Sequence, residues 1–191
     1  MDAKQKKIFD CAVKLFAQDG LKKTTIETIA KSVKVAKATI YIYYKDKEDL
    51  FRAVSDSIIN TLRAGVIEKI EAVPSMEMKI RTYAFERMYL IEELWKGFGG
   101  YANEYSEYRG IFEKLMEKHI GEEIITMEGI IKLGIKQGVF TVKNPRAVAA
   151  MIIFGLKGIE QQWMQEIDKK EMVNNLTVMF DTLLFGMLTR K

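Results

Sequence analysis

Residues 24–51 read TTIETIAKSVKVAKATIYIYYKDKEDLF. The stretch parses as two short helices joined by a tight turn, followed by the capped start of a third. Thr24 and Glu27 have capping-box spacing, so the first helix is expected to start at Thr25 with Thr24 as its cap. Ile26, Ile29, Ala30 and Val33 then fall on one apolar face. The small Ala30 leaves room for a second helix to cross closely. Lys34 sits at the turn, and a second helix is expected from about Ala36 to Tyr44. Its inward residues are expected to be Val35, Ile40 and Tyr44, leaving Lys37, Ala38, Thr39, Tyr41 and Tyr43 towards solvent. Asp46, with Asp49 three residues on, reads as the next N-cap. Two helices of this size across a short turn make a helix-turn-helix, whose second helix fits the DNA major groove.

The run Val35-Ala36-Lys37-Ala38-Thr39-Ile40-Tyr41-Ile42-Tyr43-Tyr44, with Lys47 and Leu50-Phe51, resembles the signature of the tetracycline-repressor (TetR) family. Gly20, Thr24-Thr25-Ile26 and Ile29-Ala30 also match in spacing. The resemblance covers roughly residues 6–53; the remainder is similar only in length and helical character. It implies that Thr25 contacts phosphate and that Lys37, Ala38, Thr39 and Tyr41 face the groove. It also implies that Tyr43 and Lys47 grip the backbone, Lys47 aided by the positive end of its helix. Lysine ammonium and the threonine and tyrosine hydroxyls donate well to phosphate, which sets register without reading sequence. Lys37 could instead reach guanine O6 or N7. Lys34 and Ala38 stand where the family usually has glycine, and Ile42 where many relatives carry a polar or aromatic residue.

Charge agrees with a DNA-binding head. Residues 1–52 hold 12 Lys+Arg against 7 Asp+Glu, a net +5. The remaining 18 against 19 leave the rest at −1, so the whole-chain +4 is concentrated in the head.

The 191 residues, 48% of them hydrophobic with only 2 prolines, suit an all-α chain. The expected organisation is a helix-turn-helix domain at 1–52 and a ligand-binding and dimerisation domain at 53–191, about nine helices in all. One helix is expected after Asp46 to about Ile70, joining head to body as a rigid rod with Leu50, Val54, Ile58 and Leu62 along one stripe. Others are expected at Met76–Phe98 after a Ser75 cap, and a short one near Ala102–Glu107. A long helix follows from Tyr108 to Gln137, stopped by Gly138. Asn144-Pro145 opens a helix to about Ile167, and Asp168 caps a last one to about Leu188. The single Cys11 excludes an internal disulfide and reads as core packing. No signal-peptide core or spanning segment is evident, which points to the cytoplasm.

The last two helices are apolar on more than one side. Met151, Phe154, Gly155, Gly158, Met179, Phe180 and Leu183 are therefore expected at a homodimer interface of four helices, an arrangement the resemblance also implies. The middle helices are the expected sensor. Met88, Tyr89, Glu92, Trp95, Tyr105, Tyr108, His119 and Met127 are the candidate ligand contacts, with Arg87 as a further polar group. No cofactor, metal site or catalytic constellation is recognisable, so no enzyme is expected. The function expected is a repressor released from a palindromic operator by a small hydrophobic molecule such as a fatty acyl chain or a hydrophobic drug. The alternative is a helical small-molecule-binding protein with weak or nonspecific nucleic-acid binding.

Overall fold

The structure is a computed structural model. It describes residues 1–97, 105–163 and 169–186, with the backbone alone at 94–97, 105–113, 115, 116, 161–163 and 169. Every described element is a helix: α1 (Ala3–Lys23), α2 (Ile26–Val33), α3 (Lys37–Tyr43), α4 (Lys47–Ala72), α5 (Met76–Gly97), α6 (Tyr105–Lys136), α7 (Pro145–Trp163) and α8 (Lys169–Phe185). The chain forms two compact units, Met1–Leu62 with Glu93–Lys118, and Arg63–Glu92 with His119–Lys191.

The boundaries follow from local chemistry. Asp2 caps α1 by accepting from the amides of Lys4 and Gln5, both at 2.8 Å. Asp46 accepts from the Asp49 amide at 2.7 Å while the Asp49 carboxylate accepts from the Lys45 amide at 3.0 Å, a reciprocal cap that starts α4. Ser75 accepts from Met78 N–H at 3.0 Å and Asn144 from Ala147 N–H at 3.0 Å, with Pro145 opening α7 as expected. Gly138, at φ 72°, ends the turn that follows α6.

Three expectations need correction. The cap of α2 is Thr25, which accepts from Thr28 N–H at 3.0 Å; Thr24 is not that cap. Gly20, at φ 73° and ψ 171°, breaks α1 before its last residues, and the buried Thr24 hydroxyl turns back to donate to the Gly20 carbonyl at 2.7 Å. The long helix starts at Tyr105, three residues early, absorbing part of the expected short helix; residues 102–104 lie outside those described. The last helix ends at Phe185, because Gly186 adopts φ 81°. The expected Asp168 cap also lies outside the described residues.

The first unit has its own core. Ile8, Ala12 and Phe16 of α1 meet Ile29 of α2, Ile40 of α3, and Leu50 and Val54 of α4, all essentially inaccessible. Phe16 and Phe51 pack edge to face with centroids 5.2 Å apart. Cys11 lies half-buried against this cluster. The second unit is filled by Met88, Ile91, Met127, Ile131, Ile153, Leu156, Leu176 and Phe180. In α4 the buried stripe drifts to Ile59, Val66 and Ile70, while Ile58 and Leu62 are half-buried.

Candidate nucleic-acid interface and body recess

The turn between α2 and α3 depends on Lys34, which adopts the left-handed conformation at φ 59°, ψ 47°. Its N–H and that of Val35 close on the last carbonyls of α2, Val35 N–H reaching Ala30 at 3.0 Å. A lysine there carries about 1–2 kcal/mol of strain that glycine would not. The turn seats α3 with Ile40 and the C-cap Tyr44 buried and Val35, Thr39 and Tyr43 half-buried. Lys37, Ala38, Tyr41 and Ile42 are left on the exposed side. Spacings of three and four residues put Ala38, Tyr41 and Ile42 on one face.

Several polar groups on this face already have partners. Lys37 donates to Glu27 of α2 at 2.8 Å, which holds the Glu27 carboxyl below its ordinary pKa. Tyr43 donates to Asp2 at 2.8 Å, and this bond pushes the phenol upward. Asp2 itself is lowered, first by the Gln5 amide and then by Tyr43. The Lys47 ammonium donates to the Leu21 carbonyl at 2.7 Å, pinning the start of α4 to the end of α1. Thr25 is exposed, with its hydroxyl 2.9 Å from that of Thr28.

In the second unit the expected ligand contacts scatter. Met88, Met127 and His119 are buried, Tyr89 is exposed, and Glu92 is half-buried. The side chains of Trp95, Tyr105 and Tyr108 lie outside those described. A different set, Arg63, Val66, Ile67, Tyr83, Arg87, Leu90, Glu123 and Thr126, lines a recess of about 10 Å³, room for a single water. Of these, sequence reasoning named Arg87 alone.

Behind that recess is a buried ionic cluster. Arg87 of α5 donates to Glu123 of α6 at 3.1 and 3.2 Å and to Glu160 of α7 at 3.2 Å. Burial opposes the Arg87 charge, but Glu123 and Glu160 outweigh it and raise its pKa. Glu160 is pushed up by burial, which outweighs the Arg87 guanidinium that it shares with Glu123. Tyr83 is raised by burial and then by the Glu123 charge. Beside the cluster, Arg63 of α4 meets Glu122 and lies 3.2 Å from Nδ1 of the buried His119. The partners in this cluster are 36 and 73 residues apart in sequence, so no local motif announces it.

On α7, Met151 (68%), Phe154 (56%), Gly155 and Gly158 form one exposed stripe; on α8, Val178, Leu183 and Phe185 are exposed and Met179 half-buried. A Cβ added at Gly155 or Gly158 would meet nothing within 4 Å. Phe180 differs from the expectation: its ring is fully buried in its own unit, because α8 turns it inward with Leu176 and Met172. Among the described residues no His, Cys, Asp or Glu group is placed to hold a metal, and no helix is long and apolar enough to cross a membrane.

A short α2, a tight turn and an exposed α3 on a compact cationic unit, with a larger helical unit following, define a helix-turn-helix protein. Residues 8–54 match the family described as bacterial regulatory proteins, tetR family. The helix-turn-helix head of this chain is that of the TetR family of bacterial transcriptional regulators. Over 68 residues the chain is 35% identical to an uncharacterized HTH-type transcriptional regulator of Bacillus subtilis, a match covering 36% of each chain. Over 54 residues it is 39% identical to the negative transcriptional regulator of the biofilm operon icaADBC in Staphylococcus epidermidis, 28% of this chain and 29% of that one. These matches span about a third of the relatives' own lengths. Along the whole chain it is similar to a transcriptional regulator from Cytophaga hutchinsonii, at TM-score 0.77 and 25% identity over 98% of this chain and 100% of that one. The fold is shared with the Bacillus subtilis regulator FadR solved with stearoyl-CoA, at TM-score 0.60 and 20% identity over 96% and 99% of the two chains.

Proposed function

We propose that the protein is a dimeric, ligand-responsive repressor that binds a palindromic operator through α3 and is released by a small hydrophobic molecule. The observation that carries the DNA-binding part is the exposed α3 face, Lys37, Ala38, Tyr41 and Ile42, on a head of net +5. Lys37, Tyr43 and Lys47 would exchange or share their present partners for phosphate oxygens; Lys47 keeps two further N–H groups for this. Thr25 and Thr39 would add hydroxyl contacts.

The exposed apolar stripes on α7 and α8 favour a homodimer, since a monomer gains nothing by leaving Met151 and Phe154 in water. Two-fold symmetry would then set two copies of α3 on successive major-groove faces. Repression is favoured by the negative regulator among the relatives.

The release step is proposed as a population shift. The recess by Arg87 has room for a single water, so an effector binding there would displace side chains of the second unit. Arg63 and Lys69 tie α4 to α6 and α5, so rearrangement there would bias α4. A tenfold release needs about 1.4 kcal/mol of preference for the non-operator geometry. A fatty acyl effector is favoured by the match to the fatty acid metabolism regulator of Bacillus subtilis, 33% identical over 81 residues. The test is titration of a long-chain acyl-CoA into the protein–operator complex, with sedimentation of wild type and Phe154→Asp in parallel. A dimer lost in the variant, and DNA released at saturation, support the reading. A wild-type monomer removes the dimer, and saturating ligand with unchanged operator affinity removes the effector.

A further inference from the structure

We infer that Ile42 is a specificity-determining residue of the recognition helix, one that reads the 5-methyl group of thymine in the major groove. The inference rests on the DNA-binding reading above. Ile42 is 76% exposed, more than any other large apolar side chain among the described residues of the first unit apart from the terminal Met1. A β-branched side chain has little χ1 freedom in a helix, so this one projects from α3 as a rigid apolar tooth. It shares its face with Ala38 and Tyr41. Polar members of the head already have partners of their own: Lys37 is tethered to Glu27 at 2.8 Å, Tyr43 to Asp2 at 2.8 Å, and Lys47 to Leu21 at 2.7 Å.

The cationic head argues for a polyanion as the occupant. Within a major groove, the apolar group offered on a base edge is the thymine methyl. An apolar tooth on a cationic head therefore suits DNA with thymine at one or two positions of each half-site. The tethered Lys37 keeps part of its donor capacity on Glu27, which leaves apolar contact a larger share of the discrimination.

The experiment starts from duplex DNA selected by the full-length protein out of a random pool. Each thymine of the selected half-site is replaced singly by deoxyuridine, which lacks only the methyl. Affinity is then measured for wild type, Ile42→Val and Ile42→Ala. Wild type should lose about fourfold at one or two positions, the equivalent of one buried methyl group. Ile42→Ala should bind the thymine duplex about as weakly as wild type binds the deoxyuridine duplex, with no further loss on deoxyuridine. Ile42→Val should retain part of the sensitivity. Equal deoxyuridine sensitivity in wild type and Ile42→Ala, or none in wild type, overturns the assignment while leaving sequence-specific binding intact. No selected sequence at all overturns the DNA-binding reading and this assignment with it. Because Ile42 is exposed, unchanged melting of the variants confirms that folding does not enter.

Discussion

Replacing Arg87 by leucine should be among the most damaging single changes in the second unit. The guanidinium is 3% exposed, and the side chains it neutralises, Glu123 and Glu160, are 5% and 11% exposed. Without it two buried carboxylates face each other with no cation between them. Breaking a buried ion pair from one side costs about 3–5 kcal/mol, against a total stability of roughly 5–15 kcal/mol. For a chain of this size that is a fall in Tm of about 6–20 °C. The loss should depend on pH. Glu160 is already pushed above its ordinary pKa by burial, and removing Arg87 pushes it further. A carboxyl with a raised folded pKa binds its proton more tightly when folded. Its penalty is therefore absent below the unfolded pKa, near 4.5, and grows as pH rises through the folded value. Urea unfolding of Arg87→Leu should show the largest deficit at pH 8 and a smaller one near pH 5. Replacing all three residues by leucine or methionine should recover most of the loss, since apolar substitutes remove the buried charges altogether. A deficit below about 1 kcal/mol, or one that does not change with pH, would mean that Arg87 does not neutralise Glu123 and Glu160 in the folded protein.

Gly134→Ala should destabilise by about 1–3 kcal/mol, because the new methyl would sit 2.2 Å from the Phe140 ring. Gly129→Ala on the same helix meets nothing within 4 Å and should gain roughly 0.5–1 kcal/mol of helix propensity in the same thermal melts. Lys34→Gly should relieve the left-handed strain for a small net gain of roughly 0.5 kcal/mol, and Lys34→Val should lose 1 kcal/mol or more. Lys47→Gln should weaken DNA binding across all sequences and reduce the salt slope by about one, read by fluorescence anisotropy at several salt concentrations.

Local signals were legible wherever a backbone cap had one sensible owner. Asp46 with Asp49, Ser75, and Asn144 with Pro145 occupy the positions that their hydrogen-bonding chemistry requires. Tandem Thr24 and Thr25 defeated the same reasoning. Either spacing allows a cap, and the choice depends on the Gly20 break, which turns Thr24 inward. The burial of Ile40 and Tyr44 and the exposure of Lys37, Ala38 and Tyr41 followed from the period of α3, whereas Val35, Thr39 and Tyr43 are half-buried and the 76% exposed Ile42 was not among the residues expected to face solvent. The tethers on Lys37, Tyr43 and Lys47 did not, because Glu27, Asp2 and Leu21 belong to other helices. Phe180 shows the limit of apolar counting: α8 is apolar on two sides, and only packing assigns Phe180 to the inside and Leu183 to the outside. The Arg87 cluster joins three helices through partners with no common motif, so its place by the recess emerges only in the folded chain.

Selection from random duplex DNA by the full-length protein, with titration of the recovered sequence at two salt concentrations, decides whether this chain is a sequence-specific dimeric regulator. A dimeric regulator should enrich one palindrome with two half-sites, bound with an affinity that falls steeply as salt rises. Salt-sensitive binding without an enriched sequence, or no binding, would contradict that reading.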